Sequence, residues 1–300
     1  MNIKQIFKQL IPSPLDYAYH IGFCDKSKVK YNTIEWYDNV SWVDTSKYDS
    51  EGWFADPFFL SIDKDRIMIF AEEYVYREGK GRLVKMTIDR NANKLIDVET
   101  ILSLPTHLSY PAIFRDGNKI YVYPENSQSG ALKIYEYDSH HSKLVNPVVL
   151  IDKPLLDSQL VKINEDYYIF AVENIEGWWE ETQTLKIYRS KQLMGPYEEI
   201  QIIKNSKNEE RGAGLIEDFI RPAQCCEGRY GRETILYKLL FDGVCFKEEE
   251  IGRILPNEKR KYGAVLHTYN TMGDLVVIDG YADKYPVLSK VYKKIRGIKQ

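Results

Sequence analysis

The feature that most constrains this fold is a hairpin-like unit that occurs three times in succession. Each unit opens with a polar residue before proline or serine, continues as two strand-like runs around a polar turn, and closes with a glutamate. The opening pairs are Asp56-Pro57, Tyr110-Pro111 and Asp157-Ser158. The intervals from the second residue of the pair to the glutamate are 15, 14 and 15 residues, over 57–72, 111–125 and 158–173. Such runs predict β-hairpins whose polar ends occupy equivalent positions.

The hairpins belong to a longer repeat. A further apolar strand follows each hairpin, at 81–88, 130–137 and 184–188. A unit of about fifty residues with three or four strands and almost no helical pattern is typical of a propeller blade. A shortened unit at 214–240 and a last one at 267–280 bring the number to five. The sequence therefore predicts an all-β fold, a five-bladed β-propeller over residues 17–285. The alternative, a sandwich of similar hairpins, does not require a polar residue at the same place in every unit.

The two ends of the chain differ from the repeats. Residues 1–16 carry apolar side chains at helical spacing with lysines between them, which predicts a short amphipathic helix, and residues 286–300 form a basic tail. Either end could make a peripheral membrane contact, and packing of the helix on the propeller's flank is the alternative. The segments 20–23 and 33–37 predict strands that close the ring from its N-terminal side.

Composition excludes several classes of function. The net charge of −3, from 41 basic and 44 acidic residues, argues against nucleic-acid binding, which needs a basic face. The sequence has no secretion signal and no apolar run long enough to span a bilayer. The four cysteines include no CxxC pair and favour buried thiols in a reducing compartment. We therefore expect a cytoplasmic protein, with membrane association through residues 1–16 as an open alternative.

Several motifs resemble known families. Ala55-Asp56-Pro57-Phe58 resembles the opening of the five-bladed propellers of the glycoside hydrolase superfamily that includes arabinanases, levansucrases and invertases. Five segments together are more similar to the N-terminal propeller domain of plant glucosamine inositolphosphorylceramide transferases and its bacterial relatives: 53–58, 107–111, 124–130, 221–232 and 267–280. In the plant relatives the propeller is joined to a glycosyltransferase domain. The resemblance implies a carbohydrate-active propeller of surface polysaccharide or glycolipid biosynthesis, with a sugar or glycan as its partner.

The hydrolase resemblance also implies three inward carboxylates. Asp56 matches the base or nucleophile of the first blade, whereas Tyr110 stands where the second blade would carry an aspartate. Asp157 stands at the place of the general-acid glutamate and is shorter by one methylene. A misplacement of about an ångström can cost on the order of a hundredfold in rate. Hydrolysis therefore requires a rearranged acid, and glycosyl transfer is the leading interpretation.

A second set of polar and aromatic residues is expected around the same axis. Glu72 or Glu73 closes the first hairpin, and Glu125 joins Asp56 and Asp157 as a candidate catalytic residue. Arg221 is expected either to clamp a carboxylate or phosphate on a sugar donor or to be the counter-ion of Glu125 or Glu173. The full set of candidate substrate-binding residues is Trp53, Glu73, Tyr110, Glu173, Arg221, Gln224, Tyr230, His267, Tyr269 and Asn270. The alternative is that these groups bond to one another around the channel, although buried carboxylates without a partner are costly.

The sequence predicts no metal and no cofactor. His267 has no second histidine at ligand spacing, and such a histidine is more often a hydrogen-bonded core residue than a ligand. Carbonyl groups and water could still hold one central cation. Asp63-Lys64-Asp65 is a hairpin turn by pattern and not a nucleotide-sugar motif, and the chain has no other recognisable one, so a non-catalytic glycan-binding module is a further alternative.

Overall fold

A computed structural model describes residues 17–174, 184–204 and 208–283 of the protein. The predicted N-terminal helix at 1–16 and the basic tail at 286–300 lie outside these residues, so their membrane contact and the cytoplasmic location stay predictions. Among the helices of the described part, none is long and apolar enough to cross a bilayer.

The described residues are organised almost entirely as antiparallel strands. Four short 3₁₀ helices, at Lys26–Lys28, Glu35–Asn39, Ser46–Tyr48 and Ser127–Ser129, lie between them. The strands are β1 (Tyr17–Asp25), β2 (Ser41–Trp42), β3 (Gly52–Ile62), β4 (Arg66–Val75), β5 (Lys80–Asp89), β6 (Lys94–Leu102), β7 (Ser109–Asp116), β8 (Lys119–Glu125), β9 (Leu132–Asp138), β10 (Lys143–Ile151), β11 (Leu155–Ile163), β12 (Asp166–Glu173), β13 (Leu185–Ser190), β14 (Glu198–Ile203), β15 (Ile220–Cys225), β16 (Glu233–Phe241), β17 (Phe246–Ile254), β18 (Tyr269–Met272) and β19 (Leu275–Asp283).

These strands form five sheets, and each sheet is one blade of a propeller. Blades I, II and III contain the successive strands β3–β6, β7–β10 and β11–β14, and blade IV contains β15–β17. Blade V has the order β18-β19-β1-β2, so strands from both ends of the described chain share one sheet. The register runs from Tyr17 opposite Asp283 to Asp25 opposite Leu275. The predicted all-β, five-bladed propeller is confirmed, with blade IV shortened and β1 closing the ring.

One predicted element is wrong. The segment 33–37 was expected to be a strand, but Glu35–Asn39 is a 3₁₀ helix. The Trp36 indole donates a hydrogen bond to the carbonyl of Leu255, and the Tyr37 hydroxyl donates one to the carbonyl of Tyr262. Both aromatic side chains are buried beside blade V. These side chains are aromatic because they pack against blade V and not because they belong to a strand.

Aromatic pairs hold neighbouring blades together. Phe58 of blade I meets Tyr110 of blade II edge to face at 4.8 Å between ring centroids. Phe170 of blade III meets Phe246 of blade IV at 5.1 Å, again edge to face. Such pairs contribute about 0.5–1.5 kcal/mol each beyond the burial of their apolar area. The aromatic-rich sequence is thus used mainly between blades.

The innermost strands of blades I, II and III share a β-bulge at the hub. The register shifts between Ala55 and Phe58 in β3, with equivalent shifts in β7 and β11. Asp56, Tyr110 and Asp157 have φ angles of 51°, 46° and 39°. A positive φ is unfavourable for residues with a β-carbon, and a bulge redirects the side chain that it carries. The three residues that the repeat made equivalent in sequence are therefore equivalent in the structure.

A segment from the loop before β15 crosses the hub of the propeller. The Ala213 amide donates to the carbonyl of Pro222 in β15, and the Tyr269 amide donates to the carbonyl of Ala213. The Tyr110 hydroxyl donates to the Gly214 carbonyl at 2.9 Å and accepts from the Gly214 amide at 2.7 Å. A β-carbon on Gly212 would lie 2.4 Å from the Asp157 carbonyl oxygen. We call residues 211–214 the plug, because they occupy the hub between four blades.

We predict that Tyr110→Phe destabilises the fold, because it leaves the buried amide of Gly214 without its partner, whereas the Gly214 carbonyl still accepts from Gln159. An unsatisfied buried amide costs about 1–3 kcal/mol, so the free energy of unfolding should fall by that amount. Urea unfolding measures this change. The control Tyr135→Phe removes the hydroxyl group of another buried tyrosine in blade II. It should change the free energy of unfolding by less than about 0.5 kcal/mol. Equal effects of the two substitutions would contradict the structural role of the plug.

Candidate active site

Asp56 links three blades at the hub. Its Oδ2 accepts a hydrogen bond from the Tyr110 amide at 3.0 Å, and its Oδ1 accepts one from the Thr268 hydroxyl at 2.9 Å. The Asp56 amide in turn donates to Asp279 Oδ2 at 2.9 Å. Burial raises the pKa of Asp56 to about 6, an effect that His267 opposes and Asp279 reinforces. Both carboxylate oxygens of this candidate nucleophile are therefore engaged within the protein.

His267 lies inside this acidic group. Its Nδ1 is 2.8 Å from Asp279 Oδ1, and its Nε2 is 3.8 Å from Asp56 Oδ1. The ring stacks on Tyr19 with 4.6 Å between centroids. Burial lowers the pKa of His267, but Asp279 and then Asp56 outweigh it and raise that pKa to about 9. The histidine is thus a cation that neutralises the two aspartates.

Asp56, His267 and Asp279 also meet the geometric requirement of a metal site, since one donor atom from each lies within 4.8 Å of the others. Each carboxylate oxygen already accepts a hydrogen bond from the chain: Asp56 from Tyr110 and Thr268, and Asp279 from Asp56, His267 and Thr268. Asp279 Oδ1 accepts three of these hydrogen bonds, so a cation there would compete with those donors and with the positive charge of His267. We therefore assign no metal to this group.

Arg211 of the plug is the second cation of the hub. Its Nε is 2.6 Å from Asp157 Oδ2, and its Nη2 is 3.6 Å from Glu125 Oε2. Its guanidinium lies 5.0 Å from the centre of the Tyr230 ring. Gln224 Nε2 donates to the same Asp157 oxygen at 2.8 Å. Arg211 was not predicted as a site residue, because it ends a charged run that has neither strand nor helix periodicity.

Glu125 faces this arginine at the end of β8. Its oxygens accept hydrogen bonds from the Ser127 hydroxyl at 3.0 Å and, at 3.4 Å, from the Ser109 hydroxyl. Burial and, to a smaller extent, the negative charge of Asp157 raise the pKa of Glu125. Arg211 and the hydrogen bond from Ser127 lower it, and the pKa of Glu125 is about 7. A carboxyl group with a pKa near the working pH can both accept and donate a proton.

The strand register corrects the assignment of two glutamates. Across the bulges, Ala55 pairs with Glu72, Ser109 with Glu125 and Leu156 with Val172. Glu73 and Glu173 therefore lie one residue beyond the position that pairs across the bulge. Because alternate residues of a strand point to opposite faces, their side chains point away from the hub. Glu73 binds Arg82 at 2.7 Å and Glu173 binds Lys186 at 2.6 Å, away from the hub. Glu72 takes the predicted place of Glu73.

Arg221 also lies elsewhere than expected. It is fully buried, and its Nε pairs with Glu248 of blade IV. Its guanidinium lies 5.5 Å from the centre of the Tyr237 ring. It therefore clamps no ligand at the hub and neutralises neither Glu125 nor Glu173, and Arg211 supplies the positive charge instead.

Asn270 and Tyr269 have structural positions. Asn270 donates to the carbonyl of Pro57 at 2.8 Å and accepts from the amide of Leu215 at 2.8 Å, so both ends of its amide are used. Tyr269 is buried in the apolar cluster that contains Trp36. Neither side chain reaches the carboxyl groups, whereas Gln224 does so as expected.

Aromatic rings border the hub at the end where the inner strands begin. Trp53 stacks on Tyr74 with 4.8 Å between centroids, and Tyr17 is 6.4 Å from Trp53. Tyr230 is 39% exposed and meets His267 edge to face at 5.6 Å. The predicted substrate-binding residues Trp53 and Tyr230 therefore lie beside the buried polar groups. We call the group Asp56, Glu72, Glu125, Asp157, Arg211, His267 and Asp279 the axial cluster.

Sequence comparison connects the chain to one family. Residues 40–265 match the family model described as glucosamine inositolphosphorylceramide transferase 1, N-terminal. The glucosamine inositolphosphorylceramide transferase 1 of Oryza sativa subsp. japonica is 32% identical over 195 residues, which are 62% of this chain and 26% of that protein. The Arabidopsis thaliana protein of the same name is 26% identical over 210 residues. The chain thus spans about a quarter of the length of these curated relatives.

Comparison of structures supports the fold. An exo-β-1,3-galactanase from Clostridium thermocellum superposes with a TM-score of 0.55 and 15% identity, covering 81% of this chain and 59% of that one. A thermostable family-43 glycoside hydrolase gives a TM-score of 0.54 at 13% identity, covering 74% of this chain and 84% of that one. At such low identity these similarities establish the propeller fold alone.

We predict that stability falls as the pH rises because His267 must lose its proton. A histidine whose folded pKa exceeds its unfolded value stabilises the fold while it is protonated. Its contribution is complete below about pH 6.5 and is lost as the pH rises through about 9. The loss should amount to about 2–3 kcal/mol in the free energy of unfolding, measured by urea unfolding across this range. His267→Gln should flatten the decline, and the exposed control His140→Gln should not; an unchanged slope in His267→Gln would refute the assignment.

Proposed function

Because the chain belongs to the family of the N-terminal domain of glucosamine inositolphosphorylceramide transferase 1, we propose that it binds a sugar at the axial cluster and serves glycosyl transfer. The product would be a glycolipid, in keeping with the name of its relatives, or a surface polysaccharide. Carbohydrate-active propellers share its fold, which is consistent with the proposed binding of a sugar.

The observation that carries this proposal is the composition of the axial cluster. Five carboxyl groups and two cations are gathered at one end of the hub, beside exposed aromatic rings. Sugars are bound by carboxylate, amide and guanidinium groups that hydrogen-bond to hydroxyl groups, together with aromatic faces that pack on the ring. A purely structural hub would not require Glu72 to be buried without a cation partner among the described residues, or the half-buried Glu125 to share Arg211 with Asp157.

We assign Glu125 as the general base for the transfer. It would accept the proton of the acceptor hydroxyl while that oxygen forms a bond to the anomeric carbon of an activated sugar. The bond from that carbon to the leaving group breaks, and the leaving group departs with the electron pair. The pKa of Glu125 near 7 suits proton transfer at neutral pH. Arg211, 3.6 Å from Glu125, would orient this carboxylate.

Hydrolysis is less well supported. Asp56 already accepts hydrogen bonds at both oxygens, and Tyr110 replaces the second carboxylate. Asp157 is engaged as an acceptor by Arg211 and Gln224, so it is poorly placed to donate a proton. Hydrolysis by two carboxyl groups needs one free to donate and one free to accept. The same engagement of Asp56 favours a glycan-binding module without turnover as the second candidate.

We predict that Glu125→Gln abolishes transfer but not binding. General-base catalysis contributes about 10²–10⁴-fold, so the rate of sugar transfer from an activated donor should fall by that factor. Oligosaccharide affinity, measured by calorimetry, should change less than about tenfold. The control Glu136→Gln alters an exposed glutamate of the same blade that pairs with Lys119.

The possible results separate the candidates. Transfer by the unmodified protein that survives Glu125→Gln would refute the assignment of the base. Tight binding by the unmodified protein, with no transfer from any activated donor and no release of reducing sugar, would establish the binding module instead. Release of reducing sugar that depends on Asp56 would establish a hydrolase.

A further inference from the structure

The two terminal segments leave the propeller at one place. Tyr17, the first described residue, is paired with Asp283, the last one, in the sheet of blade V. Residues 1–16 and 284–300 therefore continue from neighbouring strand ends. The Tyr17 ring lies 6.4 Å from that of Trp53 between centroids, so both segments leave at the end of the propeller that carries the axial cluster.

These terminal segments are basic, whereas the rest of the chain is acidic. Residues 284–300 hold five lysines, one arginine and no acidic residue, and residues 1–16 hold two lysines and one aspartate. The segments thus carry +6 and +1 in a chain whose net charge is −3, which leaves −10 for residues 17–283. An anionic surface would attract the segments and repel the rest, and so bind the molecule by one end.

A basic loop of the described chain lies beside the same strand ends. The connection between β17 and β18 contains Lys-Arg-Lys at 259–261, and all three side chains are exposed. In that connection the Ala264 amide donates to the carbonyl of Tyr281 at 3.3 Å. The Tyr281 ring lies 5.1 Å from that of Tyr17 between centroids. We call this end of the propeller, with Tyr17, Tyr281 and residues 259–261, the basic face.

Much of the charge of this loop is available to a partner. Arg260 pairs with Asp38, and both side chains are exposed. Neither Lys259 nor Lys261 forms an ion pair within the described ranges, and the Lys261 ammonium lies 4.7 Å from the centre of the Tyr262 ring. Such lysines are ordinary on a surface by themselves, but here they add to two further basic segments at one end of the fold.

Apolar side chains accompany the charge on the basic face. Tyr17 is 47% exposed, and its ring contacts those of Tyr281 and Trp53. Tyrosine and tryptophan suit a membrane interface, where one end of the side chain is in an apolar region and the other in water. Residues 1–16 add apolar side chains at helical spacing. An anionic polymer would need only the positive charge, so the combination favours a bilayer.

We propose that the basic face docks on a bilayer that contains anionic phospholipids, with residues 1–16, 259–261 and 284–300 as its contacts. The axial cluster then faces the bilayer, and an acceptor anchored in the membrane would reach it without leaving the lipid. Docking itself involves no sugar, so it does not depend on the proposed transfer.

Several weak contacts are sufficient for such docking. A basic residue close to an anionic bilayer raises the partition coefficient about fivefold. A single weak anchor binds a membrane only reversibly, and stable anchoring takes two signals. Because the three contacts lie at one end of the fold, binding of one raises the effective concentration of the others at the bilayer. Removal of charge from any one of them should therefore weaken docking.

The test is sedimentation of the whole chain with vesicles of phosphatidylcholine alone and of phosphatidylcholine mixed with phosphatidylserine. The partition coefficient should be at least about a hundredfold larger for the mixed vesicles and should fall as salt is added. Two double variants each remove two positive charges, Lys259→Gln with Lys261→Gln and Lys293→Gln with Lys294→Gln. Each should lower binding to the mixed vesicles by about tenfold or more.

Lys26→Gln with Lys28→Gln is the matched control. These two lysines are also exposed and lie at the other end of β1, where the Lys26 amide donates to the carbonyl of Asp274. The control removes the same charge from the same blade and should change binding by less than about twofold, because its lysines face away from the bilayer.

A dye on a cysteine reports which end meets the lipid. Cys245 is exposed, the other three cysteines are buried, and it lies in the turn between β16 and β17. The start of β16 is at the axial end, where Thr234 donates to the carbonyl of Leu266, so Cys245 lies at the opposite end. An environment-sensitive dye on Cys245 should not respond to the mixed vesicles.

The same dye on Arg77→Cys, in a chain that also carries Cys245→Ser, should show the blue shift of an apolar environment. Arg77 is exposed in the turn after β4, two residues beyond Val75, which pairs with Gly52 at the start of β3. It therefore lies at the axial end of blade I. A response at Cys245 with none at Arg77→Cys would overturn the orientation.

The remaining outcomes are equally decisive. Equal binding to both kinds of vesicle, binding to neither, or an equal loss in the control and in the Lys259 and Lys261 variant would refute the basic face as a docking surface. Retention on immobilised heparin without binding to vesicles would assign the face to an anionic polymer and overturn the bilayer. The vesicle experiments contain no sugar, so none of these failures touches the proposed function.

Discussion

The structure depends on hydrogen bonds at the hub in which the aspartate carboxylate of one blade accepts from a backbone amide of the neighbouring blade. At the bulges of blades I and II the chain adopts a positive φ, which costs about 1–2 kcal/mol for a residue with a β-carbon. The amide of Asp56 binds Asp279 of blade V, and the amide of Tyr110 binds Asp56 of blade I. An unpaired buried amide would cost about 1–3 kcal/mol, so these aspartates hold both the bulges and the ring closure.

This arrangement explains why the hub is both acidic and structured. The aspartates that hold the bulges bring negative charge to the axis, and the fold offsets part of it with His267 of blade V and Arg211 of the plug. The glutamates of β4 and β8 then lie in a field that is still negative, which raises their pKa values. Stability is thus provided by the aspartates, and the glutamates are the groups whose raised pKa values suit proton exchange with a ligand. Tyr110, at the equivalent place in blade II, contributes a hydroxyl that holds the plug.

The sequence predicted the blade number and the equivalence of Asp56, Tyr110 and Asp157, because a β-propeller repeats its spacing. It did not predict which glutamate faces the hub, since one residue of register reverses the direction of a side chain and the intervals could not distinguish Glu72 from Glu73. Arg211 was missed because the plug has no counterpart in the repeat. Arg221 was expected at the hub because it stands in the segment 221–232 that resembles the family motifs, yet its long side chain reaches Glu248 within its own blade.

The most direct test of the account is a crystal structure of the protein soaked with an oligosaccharide. We predict density for a sugar at the end of the hub that carries Trp53 and Tyr230, with hydrogen bonds to Glu72 and Glu125. Density confined to the opposite end, where Phe59, Phe114 and Met272 line a groove, would contradict the assignment of the axial cluster as the sugar site.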